Sequence, residues 1–155
     1  MKTAPHYKTK LKNVYLLNET PSHIKNFLNL PNSDEGIDII AETFENDYWA
    51  VQCKYRSNEN DTLNIKGDLS TFNNLAFNYC KNISHGIICT TASRPPKKNK
   101  YLKKVGFELL DTWISLDENN LFKAIKLKLN GKIFRPTIIK PKKHQIQAIN
   151  NAKKY

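Results

Sequence analysis

Two short segments of alternating polarity, separated by turn-forming residues, constrain the fold of this chain more than any other feature. Residues 36–42 (GIDIIAE) and 48–55 (YWAVQCKY) alternate and are rich in β-branched and aromatic residues, while residues 44–47 (FEND) between them favour a turn. Alternating segments joined by such a turn predict an antiparallel β-hairpin. The chain therefore contains at least one sheet with two distinguishable faces.

The polar residues of this hairpin share one face of the predicted sheet. If the turn is centred near Asn46, Asp38 lies opposite Lys54 and Ile40 lies opposite Gln52, because cross-strand neighbours are fixed by the register. One interpretation is a simple ion pair between Asp38 and Lys54, worth under about 1 kcal/mol on a solvated face. The other is a site in which carboxylate and amide oxygens bind Mg²⁺ and a lysine faces a phosphate.

The rest of the pattern alternates between helix and strand, which predicts a single α/β domain. In chain order we expect an irregular or partly helical entry over 1–33 with helical spacing in 24–30, a helix over 65–79, a buried strand over 85–92, a short strand over 106–112, and a helix over 116–129. The last helix would begin with a capping box formed by Ser115 and Glu118 and end at Asn130-Gly131.

The residue inventory excludes several classes of site. Only three cysteines are present, in apolar surroundings that predict core positions for Cys53, Cys80 and Cys89, and the four histidines are scattered. A disulfide framework or a zinc site is therefore not expected, and any metal would be bound by oxygen ligands. A Walker loop is absent, and so is an apolar run long enough for a membrane span or a signal peptide. These features predict a cytoplasmic protein with no membrane partner.

The charge of the chain, +11 overall, is distributed unevenly. Residues 1–93 contain nine basic and ten acidic residues, a net −1, whereas residues 94–155 contain 16 basic and 4 acidic residues, a net +12. A polyanion is the expected partner of such a surface. The basic segment after the buried strand either contacts DNA phosphates or is a solvated loop; the predicted contacts are Arg94, Lys97, Lys98 and Lys100.

The hairpin motif as a whole resembles a known family. The strings Asp34–Asp38 (DEGID) and Tyr48–Tyr55 (YWAVQCKY) are similar to the nuclease core of Mrr-like restriction endonucleases, of the PD-(D/E)xK superfamily in its Gln-x-Lys variant. Such domains are found at the N-terminus of helicase-containing restriction enzymes. The resemblance covers roughly residues 13–115. It implies a restriction-endonuclease-like α/β fold, with a central mixed β-sheet and a catalytic hairpin flanked by helices, over residues 1–135.

The resemblance also implies a role for individual residues. Asp38 corresponds to the metal-binding aspartate, Gln52 to the second metal ligand and Lys54 to the catalytic lysine, while the backbone carbonyl of Cys53 also faces the metal, Mg²⁺ or Mn²⁺. Family members often supply a further acid from an N-terminal helix, which is short or missing here. The nearest candidate is Glu19, with Glu35 and Glu42 as lesser ones. Glutamine in place of an acid removes one negative charge, which weakens cation affinity.

The C-terminal residues 136–155 have a different character. After a linker, residues 140–149 (KPKKHQIQAI) resemble the entry segment of superfamily 2 helicases, in which Gln145 would contact adenine; an amphipathic tail helix is the alternative. The sequence thus predicts a metal-dependent DNA endonuclease domain of a restriction-type nuclease and helicase. Two further interpretations stay open: a catalytically inactive DNA-binding module with the same fold, and a basic protein that binds RNA or a partner subunit.

Overall fold

A computed structural model describes residues 1, 4–33, 35–97, 102, 104–118 and 121–132 of the chain. The chain divides into two compact units, Met1–Lys123 and Ala124–Tyr155. The predicted boundary between residues 135 and 136 lies outside the described residues, so it stays a prediction. None of the described helices is both long and apolar enough to cross a lipid bilayer.

A five-stranded mixed sheet forms the centre of the first unit. Its strands lie side by side in chain order, β1 to β5, and are Leu11–Leu16, Ile39–Thr43, Tyr48–Lys54, Ile83–Thr90 and Val105–Glu108. The pairs β1–β2 and β2–β3 are antiparallel, whereas β3–β4 and β4–β5 are parallel. The predicted mixed sheet, the hairpin and the buried strand that contains residues 85–90 are confirmed.

Helices flank this sheet on both sides. They are α1 (Pro5–Lys8), α2 (Ser22–Leu28), α3 (Ser70–Asn74) and α4 (Leu110–Glu118). A further helix, α5 (Leu121–Leu129), extends from the end of the first unit into the second. Two π-helical turns, Ile65–Leu69 and Leu75–Tyr79, extend α3 at either end, so a continuous helical segment covers 65–79 as predicted. This segment is the crossover that the parallel pairing of β3 and β4 requires.

The sheet has an apolar core on each face. On one face, Ile40, Ala50 and Ile88 pack with Leu69 and Phe72 of the helical segment 65–79. The opposite face packs against α1 and α4 through residues that include Tyr7, Ala41, Val51, Ile87 and Trp113. We call the first the helical-segment face and the second the α1/α4 face. Burial on both faces explains why Gly86–Cys89 in β4 form a continuous apolar run.

The entry region differs from the prediction. Residues 11–16 form the edge strand β1 and not an irregular or helical segment, whereas the helical spacing in 24–30 does give a helix, α2. The burial along β1 does not alternate cleanly, so the sequence lacks the usual signal of a strand. Pairing with β2, from Leu11 opposite Thr43 to Leu16 opposite Ile39, determines its conformation.

The helix predicted over 116–129 is also different. A helix already begins at Leu110 and a second one begins at Leu121, so Ser115 lies inside α4 and the predicted capping box is wrong. Tertiary contact accounts for the earlier start, because the Trp113 indole donates a hydrogen bond to the Thr90 carbonyl at 3.0 Å and anchors α4 on the sheet. The predicted stop is confirmed: Gly131 has φ +69°, and its N–H reaches the Lys128 carbonyl at 3.0 Å, as in a Schellman motif.

The hairpin register is shifted by two residues from the prediction. Ile40 pairs with Ala50 and Glu42 with Tyr48, and the Asp38 N–H donates to the Val51 carbonyl, so Asp38 does not lie opposite Lys54. The reason is a three-residue loop in which Asn46 is left-handed, with φ +64°, a geometry that centres the turn one position earlier. A shift of two preserves the side-chain faces, so the polar residues still share one face.

Candidate active site

A cleft of about 420 Å³ opens at the C-terminal end of β3. Such ends of parallel strands are where open α/β sheets bind ligands. All three residues of the predicted Asp38, Gln52 and Lys54 constellation line it. The full lining is Glu35, Gly36, Asp38, Gln52, Cys53, Lys54, Gly67, Asp68 and Thr71.

Asp38 is held in place by its own backbone and by its carboxylate. It lies just before β2, where its N–H donates to the Val51 carbonyl at 2.9 Å and its carbonyl accepts from the Leu17 N–H at 3.0 Å. Its Oδ2 accepts a hydrogen bond from the Cys53 N–H at 2.5 Å. The carboxylate is therefore oriented by β3 itself, and the backbone of Cys53 becomes part of the site.

The buried amide of Gln52 lacks one expected partner. Its side chain is only 4% exposed, and Oε1 is the buried side-chain oxygen without a hydrogen-bond partner in the part of the chain that the structure describes. An unpaired buried acceptor costs about 1–3 kcal/mol. Buried acceptors are rarely without a partner, so a ligand is expected at this atom. A cation bound by Oε1 and the Asp38 carboxylate fits the residues present.

The close packing around Gln52 requires glycine at position 36. Gly36 has φ +117°, and a Cβ there would lie 3.2 Å from Gln52 Nε2 and 3.6 Å from Thr71 Cγ2. L residues rarely adopt this φ, and a side chain would press on the amide. Gly36 thus allows Gln52 to occupy the floor of the cleft, a role that the sequence pattern alone did not reveal.

One of the three acidic residues in the cleft lining, Asp68, was not predicted. Its Oδ1 accepts from Arg56 at 2.6 Å, and its Oδ2 accepts from the Asn64 N–H at 2.7 Å. The backbone hydrogen bond from Asn64, followed by Arg56, lowers the pKa of Asp68 below its ordinary value. Asn64 in turn caps the helical segment 65–79 by accepting from the Lys66 N–H at 2.9 Å. Asp68 therefore joins the start of this segment to the chain after β3.

Lys54 is the last residue of β3 and is half-buried on the cleft wall. Among the described residues, the salt bridges are His6–Glu108, Lys12–Glu42 and Arg56–Asp68. Asp38 and Lys54 thus do not form the simple ion pair considered from the sequence. The ammonium of Lys54 is available to the cleft.

The candidate accessory acids lie in different surroundings. Glu35 lines the cleft, whereas Glu19 does not. Glu42 is buried and accepts from Asn13 and from Lys12, each at 2.8 Å. The hydrogen bond from Asn13, followed by that from Lys12, lowers the pKa of Glu42. Glu42 is thus a charged, fully partnered residue of the β1–β2 pair.

The predicted phosphate contacts are only partly described. Arg94 and Lys97 are exposed and follow β4 outside the cleft lining. The preceding Ser93 hydrogen-bonds to the Glu59 carbonyl at 2.8 Å, so this segment lies beside the loop after β3. The remaining predicted residues, Lys98, Lys100 and Gln145, are outside the described residues, as is Asp34 of the motif.

The possible metal ligands are few and consist of oxygen atoms. Within the described ranges, no group of three or more His, Cys, Asp or Glu side chains is placed to hold a metal ion. One carboxylate, one amide oxygen and backbone carbonyls suit Mg²⁺, which keeps several waters and completes its shell with substrate phosphates. A cation here would be bound weakly in the absence of substrate.

The cysteines do not all occupy core positions. Cys80 and Cys89 are buried as predicted, but Cys53 is exposed, and all three are free thiols. A hydrogen bond with the Cys89 thiol lowers the pKa of Cys53, while the same contact raises the pKa of Cys89. Cys53 is the second-last residue of β3, and its side chain is exposed.

A smaller cleft of about 220 Å³ lies on the α1/α4 face. It contains none of the residues predicted for catalysis, and its lining includes His6, Trp49 and His85. Tyr7 donates a short hydrogen bond to Glu108 within it. The catalytic prediction therefore concerns the helical-segment side of the sheet alone.

Comparison with known proteins connects this geometry to a family. No curated protein matches the chain. A solved structure titled "ATP-dependent Type ISP restriction-modification enzyme LlaBIII bound to DNA" has the same fold, with a TM-score of 0.60 and 20% sequence identity. The match covers 99% of this chain but only 9% of that one, so this chain spans a small part of that enzyme. The family model Mrr_cat_2, described as restriction endonuclease, matches residues 2–125. The chain belongs to this restriction endonuclease family.

Proposed function

We propose that this chain is a metal-dependent DNA endonuclease domain, which hydrolyses phosphodiester bonds as the nuclease part of a restriction-type nuclease and helicase. The observation that carries the proposal is the unpartnered Oε1 of the buried Gln52, beside the oriented carboxylate of Asp38 and the half-buried Lys54. Buried side-chain acceptors are rarely without a partner in folded proteins, which favours a ligand at this atom.

Each residue of the cleft has a chemical task in this proposal. Asp38, Gln52 Oε1 and the carbonyl of Cys53 bind Mg²⁺ or Mn²⁺, which when bound polarises the phosphate and lowers the pKa of a water. Lys54 provides a positive charge that stabilises the developing phosphorane and orients the attacking water. The Cys53 N–H keeps the Asp38 carboxylate in position, because it binds Oδ2 at 2.5 Å.

DNA is the proposed substrate, and a helicase or translocase domain is the proposed partner. The family, the DNA-bound neighbour and the net charge of +11 support DNA. Exposed Arg94 and Lys97 would contribute phosphate contacts of no sequence specificity, together with Lys98 and Lys100. Adenine contact by Gln145 belongs to the same proposal. A nuclease acting on cellular DNA would work in the cytoplasm.

A second candidate function is a DNA-binding module that keeps the fold without cleavage. Two observations favour it. The described residues include no group of three metal-binding side chains, and the carboxylates of Glu42 and Asp68 are already engaged by basic partners. In this case the site would bind DNA but not a catalytic cation.

Plasmid cleavage distinguishes the two functions. Supercoiled plasmid is incubated with Mg²⁺ or Mn²⁺ and with wild type, Lys54→Ala or Lys81→Ala, at protein concentrations that give equal DNA binding. Lys81 is an exposed lysine just before β4, at the opposite end of the sheet from the cleft, and thus controls for lost charge. We expect wild type and Lys81→Ala to nick the plasmid and Lys54→Ala to lose at least about 100-fold in rate. Binding without nicking by any of the three would favour the inactive module.

A further inference from the structure

Two cysteines face each other across the parallel pair that carries the cleft. Cys53 of β3 and Cys89 of β4 are direct partners in the register, so their side chains project from the same face of the sheet. Adjacent strands are about 4.7–4.9 Å apart, which lies within the Cα separation of about 4.4–6.8 Å that a disulfide spans. The register of the two strands therefore gives the two cysteines a Cα separation that a disulfide can span.

The two thiols differ in access. Cys53 is exposed, whereas Cys89 is only 8% exposed. An exposed thiol next to a buried one is the arrangement in which the first meets an oxidant and the second resolves the product. Cys80, the third cysteine, is buried and lies outside this register, at the end of the helical segment 65–79.

We propose that Cys53 and Cys89 form a reversible disulfide when the protein meets a peroxide. The Cys53 sulfur attacks one peroxide oxygen, the O–O bond breaks, and a sulfenic acid and one water result from hydrogen peroxide. The Cys89 thiol then attacks the Cys53 sulfur, an S–S bond forms, and the sulfenic oxygen leaves as a second water. Two thiols are oxidised and one peroxide is reduced, and an added dithiol reverses the change.

This disulfide would change the geometry of the cleft by moving the backbone of Cys53. The Cys53 N–H holds Asp38 Oδ2 at 2.5 Å, and the bond would draw the Cys53 Cβ to about 3.5–4.5 Å from that of Cys89. Displacing the group that orients a metal ligand costs roughly 10–100-fold in metal affinity. This consequence rests on the proposed function, whereas formation of the disulfide does not.

Peptide mapping tests whether the Cys53–Cys89 disulfide forms, independently of its effect on the cleft. Wild type, Cys89→Ser and Cys80→Ser are treated with hydrogen peroxide, digested without reduction and mapped by mass spectrometry. We expect a Cys53–Cys89 linked peptide in wild type and Cys80→Ser, its absence in Cys89→Ser, and its loss after dithiothreitol. Because wild type alone reports the linkage, the test does not depend on the folding of a variant. A Cys53 that is only overoxidised, or that pairs with another chain, would overturn the proposal.

Titration of Mn²⁺ into reduced and oxidised wild type measures the effect on the cleft. We expect oxidation to weaken Mn²⁺ binding at least about tenfold, with recovery after dithiothreitol and no comparable loss in oxidised Cys89→Ser. Equal Mn²⁺ affinity with the disulfide present would refute the coupling to Asp38. A reduced protein that binds no Mn²⁺ would instead refute the proposed function, whatever the peptide map shows.

Discussion

Replacing Gln52 with glutamate should lower the stability of the metal-free protein and raise its affinity for a divalent cation. The side chain is 4% exposed, its Oε1 has no partner in the described structure, and a carboxylate already lies nearby at Asp38. Without a cation, a buried unpaired carboxylate costs at least about 1–3 kcal/mol. At roughly 2–4 °C per kcal/mol for a chain of this size, we expect Tm to fall by about 2–12 °C in EDTA.

At a saturating concentration of cation, Gln52→Glu should become more stable than wild type. The added negative charge makes the site a better ligand set for Mg²⁺, and each tenfold gain in affinity adds about 1.4 kcal/mol of stabilisation at saturation. The assay is thermal unfolding of wild type and Gln52→Glu with EDTA and with increasing Mg²⁺. Asn74→Asp is the matched control, since exposed Asn74 Oδ1 accepts from Asn78 at 2.9 Å and the carboxylate can keep that bond. A Gln52→Glu protein as stable as wild type in EDTA, with no larger Mg²⁺ response, would refute the reasoning.

Further predictions concern packing and pH. Gly86→Ala should destabilise the fold by about 1–3 kcal/mol in urea denaturation, because its Cβ would lie 2.9 Å from Phe72 Cε1; Gly67→Ala, whose nearest contact is 3.9 Å, should change stability by less than about 1 kcal/mol. Equal effects would contradict the packing argument. Glu42→Gln should cost about 1–3 kcal/mol at neutral pH. Since the pKa of Glu42 is lowered in the fold, its contribution is present above the unfolded value of about 4.3 and disappears as pH falls through the folded value. A cost that is independent of pH would contradict this account.

The hairpin was the most predictable part of the molecule because its signal is local. Alternation fixes which residues share a face, and the register shift of two left those faces unchanged. The turn itself was misplaced because the left-handed conformation of Asn46, with φ +64°, is a property of the closed loop. Local patterns therefore predicted the hairpin residues Asp38, Gln52 and Lys54 of the cleft but not their exact pairing.

The missed features depend on contacts between distant segments. Asp68 enters the cleft because it binds Arg56 at 2.6 Å and the Asn64 N–H at 2.7 Å, and nothing in residues 61–69 alone indicates the arginine. An asparagine cap followed four residues later by an aspartate was the available local signal. The helix start at Leu110 likewise depends on the anchoring of Trp113 to Thr90, which outweighs the apparent capping box at Ser115.

The most direct test of the central claim is to locate the cation. Crystals of this chain soaked in Mn²⁺ would be measured for anomalous scattering, with Asp38→Ala crystals as the control. We predict a peak in the cleft within about 2.0–2.5 Å of Gln52 Oε1 and of an Asp38 oxygen, absent from the variant. A Mn²⁺ peak elsewhere, with an empty cleft at saturating Mn²⁺ in wild type, would contradict the assignment of this cleft as a metal-dependent nuclease site.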